Sequence, residues 1–329
     1  MKKKITLKTN GSPQKISYRS SKKSVVNVNK KGRLTAKKTG TAKVTISWQQ
    51  KDGKRKKEWF KVHVVKKRRD TAVSEDKADA QSAEKIGTVT PGSKYYKGFL
   101  LDNVLTTKTG EKIHYNLYVP KSYDGKKKVP LFITLPGWEG LYFQGVGENL
   151  KWEDFGFEAQ KYHENMIIAA PQLDDWGSTS AEQTITLTKY FLAAYEVNEK
   201  KVYINGYSGG GETLSLVLEK EPKLYTAALH VSSQWDGTDY KRMIRERTPL
   251  YFAIGEKDSY YGSEPVKSAY RKLKKLYQET GLSEKEIEEV LILDIKEQAY
   301  FDARGVKDQH AGGGTFAKDQ EIMGWLFGH

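Results

Sequence analysis

The sequence predicts an α/β protein, a mostly parallel sheet flanked by helices, preceded by a small all-β sandwich. Three observations carry that expectation. Residues 5–65 alternate short strand-like runs with turn sequences, and residues 94–329 alternate strand-like with helix-like runs. The charge also divides between the two: residues 1–70 hold 24 Lys and Arg against 3 Asp and Glu, the rest 32 against 38. The net charge of +15 therefore averages a basic module and a mildly acidic domain. A chain of 329 residues is long enough for both. Cysteine is absent, which removes disulfides, thiol nucleophiles and thiolate-bound zinc as explanations. No apolar run approaches the roughly 20 residues that cross a bilayer.

In the first module the strand candidates are Ile5–Lys8, Lys15–Tyr18, Val25–Val28, Leu34–Ala36, Ala42–Trp48 and Trp59–Val65. Asn10-Gly11, Asn29 to Gly32, Thr39-Gly40 and Asp52-Gly53 supply the turns between them. Domain boundaries are expected at 1–66 for this module, 67–93 for a polar linker ending in Pro91-Gly92, and 94–329 for the second domain. A basic module suits nucleic acid, an anionic wall polymer or an acidic polysaccharide. The expected contact is the wall polymer or polysaccharide, with no nucleic-acid partner and no membrane span.

The second domain is organised around Lys201 to Glu212, which reads strand, sharp turn, helix. Its centre, Gly206-Tyr207-Ser208-Gly209-Gly210, is G-x-S-x-G in the context that gives the motif meaning. The flanking glycines let backbone pass close to a serine held in a strained conformation, and the following helix points its N–H groups toward that hydroxyl. Strands are expected at Gly98–Leu105, Lys112–Val119, Leu131–Leu135, Met166–Ala170, Val202–Ile204, Ala227–Val231, Leu250–Ile254 and Val290–Ile295. The first two read as antiparallel, the later apolar runs as strands buried on both faces. Helices fit near Trp152–Glu164, Ala181–Tyr195, Glu212–Glu219, Pro265–Glu279 and Thr315–Leu326.

Four further features converge on Ser208. In nucleophile-elbow hydrolases an acid and then a histidine follow the serine in chain order. Asp258, just past the strand Leu250–Ile254, is the candidate acid, with Glu256 as the alternative. His310 is the candidate base by elimination: His63 lies in the first module, His114 and His230 in strands, His163 in a helix, and His329 at the terminus. The glycine-rich run after His310 predicts a flexible loop from which a base can swing between nucleophile and leaving group. Pro136-Gly137-Trp138 follows the strand Leu131–Leu135, so the N–H of Trp138 or Gly137, with that of Gly209, forms the expected oxyanion hole. Aromatic residues Trp138, Tyr142, Phe143, Trp152, Trp176, Trp235, Tyr260 and Tyr261 fall in loops or helix starts at the same edge. Of these, Trp138, Tyr142, Trp176, Trp235 and Tyr260 are the substrate-binding candidates.

Two resemblances follow. Ser20-Ser21, Val26-Asn-Val28, Gly32-Arg-Leu-Thr-Ala36 and Gly40-Thr-Ala-Lys-Val44 resemble the bacterial group 2 immunoglobulin-like domain, whose members occur on exported and surface proteins. Residues 94–329 resemble α/β-hydrolase esterases of the polyhydroxybutyrate depolymerase and feruloyl esterase group. That likeness rests on Val129 to Gly137, Lys201 to Gly210, Gly255-x-x-Asp258 and His310 ahead of Trp325-Leu-Phe327. It implies Ser208 as nucleophile, Asp258 as orienting acid and His310 as base, with no metal or organic cofactor. Where that group usually has His-Gly, this chain has Pro136-Gly137, which leaves the oxyanion donor open.

The expected activity is hydrolysis of carboxylic esters through an acyl-enzyme, with acetyl or feruloyl decorations on plant polysaccharide as the substrate class. The alternatives are a prolyl-oligopeptidase-like peptidase and a non-catalytic surface adhesin. Met1-Lys-Lys-Lys4 opens like a leader, but no apolar stretch follows. The first resemblance leads to the expectation of a secreted or cell-surface protein whose leader has been removed.

Overall fold

The computed structural model describes residues 2–4, 14–38, 40–50, 53–64 and 79–329. The chain forms two compact units, Met1–Glu75 and Asp76–His329.

In the first unit β1 (Lys2–Lys4), β4 (Arg33–Ala36) and β3 (Val26–Val28) form one antiparallel sheet, in that order. Strands β2 (Gln14–Ser20), β5 (Gly40–Gln49) and β6 (Arg55–Val64) form a second. Alternation decides which face is buried. Ala42, Val44 and Ile46 are buried, and the first two join Val25 and Val26 in a small core backed by Phe60 and Val62. The candidate strand Ile5–Lys8 lies outside the described residues.

The second unit begins earlier than expected. Within the presumed linker, α1 (Asp79–Ile86) buries Ala83, and β7 (Gly87–Thr90) pairs with a strand of the main sheet. The linker reading is corrected there: an edge strand pairs through its backbone and needs little apolar sequence. Residues 67–78 lie outside the described residues.

The remaining strands are β8 (Lys94–Tyr96), β9 (Phe99–Thr107), β10 (Lys112–Tyr118), β11 (Val129–Leu135), β12 (Ile167–Gln172), β13 (Val197–Tyr207), β14 (Ala227–Val231), β15 (Leu250–Gly255) and β16 (Leu291–Lys296). Their order is β16-β15-β14-β13-β11-β12-β10-β9-β7, with β8 added on β9. The strands from β11 to β16 run parallel to one another, while β10 pairs antiparallel with β12 and with β9, and β7 and β8 pair antiparallel with β9. Every residue of β11, β14 and β15 is buried, the signature of strands covered on both faces.

The covering helices are α2 (Glu148–Trp152), α3 (Phe155–Glu158), α4 (Ser178–Ala194), α5 (Gly209–Lys220), α6 (Lys241–Glu246), α7 (Glu264–Glu279), α8 (Glu284–Val290), α9 (Gln298–Asp302), α10 (Gly313–Ala317) and α11 (Gln320–Phe327). One apolar layer collects Phe191 from α4, Leu214 and Val217 from α5 and Leu273 from α7 against Ile133, Ile204 and Phe252. The other gathers Phe155, Phe301, Phe316, Ile322 and Leu326 against Phe132, Tyr203 and Leu229. Each such side chain stabilises the fold by roughly 1.5–3 kcal/mol relative to exposure. This is the α/β-hydrolase fold. Among the described residues no helix is long and apolar enough to cross a membrane.

Two expected helices are broken. The helix expected over Trp152–Glu164 is interrupted because Glu153 is extended (φ −131°, ψ 131°), which separates α2 from α3. The helix expected over Thr315–Leu326 is restarted by Asp319, whose carboxylate accepts from the N–H groups of Glu321 and Ile322 at 3.0 and 3.2 Å.

Candidate active site

The parallel order places the C-terminal ends of β11, β13 and β15 along one edge. At the end of β13 the chain turns into α5 through Ser208, whose φ of 53° is unusual for any residue but glycine. The turn needs its glycines. A Cβ on Gly206 would sit 2.2 Å from the Gly210 carbonyl oxygen, and one on Gly210 would sit 2.4 Å from that of Leu135. The Ser208 N–H donates to the Val231 carbonyl at 3.0 Å, which ties the elbow to β14.

The structure brings Ser208, His310 and Asp258 together. Both oxygens of the Asp258 carboxylate lie 3.0 Å from His310 Nδ1, and His310 Nε2 lies 3.0 Å from Ser208 Oγ. An ionised carboxylate can only accept, so Nδ1 carries the hydrogen, and the bare Nε2 accepts from the serine hydroxyl. The Asp258 side chain is fully buried, and its Oδ1 also accepts from the N–H groups of Tyr260 and Tyr261 at 3.0 and 2.9 Å. Glu256, the alternative acid, is exposed.

His310 lies in a helical turn where the sequence predicts a loop, and that expectation is corrected. It opens a short 3-10 turn that leads directly into α10. Its N–H donates to Asp308 Oδ1 at 2.9 Å, and its carbonyl accepts from the Tyr207 hydroxyl at 2.5 Å. Ser259 and the His310 N–H hold the Asp308 carboxyl below the ordinary range. Gln309 is buried, accepting from the Lys257 N–H at 2.6 Å and donating to Gln298 at 2.9 Å. Tyr207 and Tyr260 stack on the imidazole at 5.9 and 5.3 Å between centroids.

The other histidines are engaged elsewhere. Burial lowers the pKa of His230 to about 4, and its Nε2 faces the Gln234 carbonyl. His114 also meets a carboxylate, Asp102, at 2.8 Å, but its ring stacks on Tyr142 and reaches no nucleophile.

The oxyanion candidates separate. The Gly137 N–H is already taken by Glu153 Oε1 at 2.5 Å. That leaves Trp138 N–H beside it and Gly209 N–H at the start of α5. The loop adjoins the nucleophile: a Cβ on Gly137 would lie 3.2 Å from Ser208 Cβ. Glu153 is itself a residue that the sequence did not reveal. Complete burial raises its carboxyl pKa to about 8, opposed only by the Gly137 hydrogen bond. It lines a small cleft behind the loop with Thr134, Pro136 and Asn149.

Trp138, Trp176 and Tyr260 reach this centre. Trp138 is 63% exposed and stacks on Trp176 at 5.3 Å. Trp176 in turn lies against Gly209, where a Cβ would fall 2.3 Å from the indole Cδ1. Tyr142 and Trp235 are differently used: Tyr142 stacks on His114, and Trp235 packs among His230, Tyr240 and Phe252. Sequence reasoning also passed over Glu212, one turn past Ser208, whose Oε1 accepts from the Tyr261 hydroxyl at 2.6 Å. Burial raises the pKa of Glu212. Its place beside the elbow was visible in the sequence, but its pairing with Tyr261 was not.

Comparison with known proteins agrees with this architecture. The model of the prolyl oligopeptidase family matches residues 172–282, which include the elbow and Asp258 but not His310. A solved structure described as a thermostable esterase superposes with a TM-score of 0.56 at 17% identity, over 92% of this chain and 76% of that one. Oligopeptidase B from Leishmania major gives 0.46 at 14% identity, over 87% of this chain and 43% of its own. A poly(3-hydroxybutyrate) depolymerase from Bordetella parapertussis gives 0.46 at 15% identity, over 76% and 95%. No curated protein matches the sequence.

Proposed function

We propose that this serine hydrolase of the α/β-hydrolase fold is a carboxylesterase working through Ser208, His310 and Asp258. The observation that carries the reading is the continuous hydrogen-bond chain from the Asp258 carboxylate through the imidazole to Ser208 Oγ, each link at 3.0 Å. As Ser208 Oγ attacks the ester carbonyl, its proton passes to His310 Nε2, and the imidazolium is stabilised by Asp258. The N–H groups of Gly209 and Trp138 hold the oxyanion of the tetrahedral intermediate. His310 then delivers that proton to the departing alkoxide, releasing an alcohol and leaving an acyl group on Ser208. Water, losing a proton to the same nitrogen, attacks the acyl-enzyme. Collapse returns the proton to Ser208 and frees the carboxylic acid.

The substrate class we propose is an acetyl or feruloyl ester on plant polysaccharide. The exposed indole of Trp138, backed by Trp176, and the exposed phenol of Tyr260, stacked on His310, offer flat apolar surfaces beside the triad, suited to a sugar or phenolic ring. The structural neighbour described as an esterase supports ester over peptide chemistry. An assembled triad weighs against a purely adhesive role. The N-terminal unit, in this reading, is an immunoglobulin-like module of a secreted or surface protein.

Ester and peptide substrates separate the readings. Turnover of acetylated and feruloylated xylan fragments with no cleavage of peptide amides is the expected result. Peptide cleavage without ester turnover would replace it with the oligopeptidase reading.

A further inference from the structure

The outer face of the β2-β5-β6 sheet carries an arrangement that folding alone does not explain. The register sets Lys43 opposite Lys61, Thr45 between Arg19 and Trp59, Ser47 between Ser17 and Lys57, and Gln49 opposite Arg55. All of these point away from the core, because the intervening Ala42, Val44 and Ile46 point into it. Arg19, Lys43, Arg55, Lys57 and Lys61 are exposed. Among the described residues no carboxylate shares this face, and none of the five forms an ion pair. Like charges directly opposite one another on a sheet destabilise it, and Lys43 and Lys61 stand in that relation. Trp59 adds to the arrangement: Lys43 Nζ sits 3.8 Å above its ring, which holds one ammonium group in place on the face.

We propose that this face binds an acidic polysaccharide, a chain of sugars carrying carboxylates. Complementary charge is what the five cations lack. The uncharged groups between them decide what kind of polyanion fits. Ser17, Thr45, Ser47 and Gln49 intersperse hydroxyl and amide side chains among the cations, matching a polymer that alternates anionic groups with free hydroxyls. A single-stranded nucleic acid would be held best by an open aromatic platform for its bases, and one side of the Trp59 ring is covered by Lys43. A duplex, bound through its phosphates, offers few free hydroxyls to the groups between the cations and is the competitor in the test. The proposal concerns the first unit alone and stands whether or not the esterase reading holds.

The test measures binding of the full-length protein to polygalacturonate and to duplex DNA at several salt concentrations. The variants compared are Lys57→Glu/Lys61→Glu and a control with the same net charge, Lys22→Glu/Lys37→Glu. Lys61→Glu places opposite charges across the sheet at Lys43, so the face variant folds at least as well as the parent, and a thermal melt verifies this. Expected are salt-sensitive binding of polygalacturonate, weakened roughly tenfold or more in the face variant and much less in the control. Small-ester turnover should be unchanged in both. Equal weakening in the two variants would reduce the effect to net charge and overturn the proposal. Binding unaffected by the face variant, no binding at low salt, or tighter binding of DNA would overturn it as well.

Discussion

The Gly137 N–H donates to the buried carboxyl of Glu153 at 2.5 Å, so the loop behind the nucleophile is held by an acid that titrates near pH 8. Below that pH the group is neutral and serves as an acceptor. Above it, a buried negative charge appears behind the loop that carries the proposed Trp138 donor, opposing oxyanion formation. Tyr207 lies close enough to feel that charge: its hydroxyl pKa is raised first by burial and then by Glu153.

Ester turnover should therefore decline above pH of about 8 in the parent. Glu153→Gln keeps an acceptor for the Gly137 N–H and should lose that alkaline limb. The same limb persisting in the variant would assign it to another group.

The same residue makes a stability prediction. Its folded pKa, about 8, is raised above the ordinary value of 4.5. The native state thus retains a proton that the unfolded chain loses, and the linked stability is complete below pH 4.5 and lost as pH rises through about 8. Denaturant midpoints for the parent should fall across that window relative to Glu153→Gln. Parallel pH dependences would contradict the assignment.

Asp258→Asn should lower kcat by about 10⁴-fold, because the amide stabilises the wrong imidazole tautomer while leaving the packing intact. Glu256→Gln, at an exposed position, should leave kcat within about twofold. Steady-state kinetics on one activated ester tests both.

Trp138→Ala removes the exposed indole and leaves its backbone N–H in place. KM for a ring-bearing ester should rise by roughly 2–10-fold, as expected for losing one aromatic contact of about 0.5–1.5 kcal/mol. An acetate ester of a small alcohol should be unaffected. Equal effects on both esters would mean that the substitution disturbs the loop.

Gly206→Ala forces a Cβ to within 2.2 Å of backbone oxygen at the elbow. A stability loss of upwards of about 3 kcal/mol is expected, visible as a lower thermal midpoint. A normal melt would mean that the turn relaxes more easily than its packing indicates.

The features legible in the sequence were those imposed locally. Gly206, Ser208 and Gly210 announce the elbow because only glycine tolerates the close approaches there. The apolar runs of β11, β14 and β15 announce buried parallel strands. Asp258 and His310 followed from chain order. Glu153 was invisible because its role arises from an extended residue between α2 and α3, which periodicity alone reads as continuous helix. His310 looked mobile because Gly312 to Gly314 follow it, yet Tyr207, Asp308 and Gln309 pin the turn through contacts distant in sequence or dependent on the fold.

The most direct test of the central claim is covalent labelling with a fluorophosphonate, followed by mapping of the modified peptide. A single adduct on Ser208 is expected, absent in Ser208→Ala and strongly slowed in His310→Ala, with unchanged melting of both variants. An unlabelled parent, or an adduct that persists after Ser208→Ala, would contradict it.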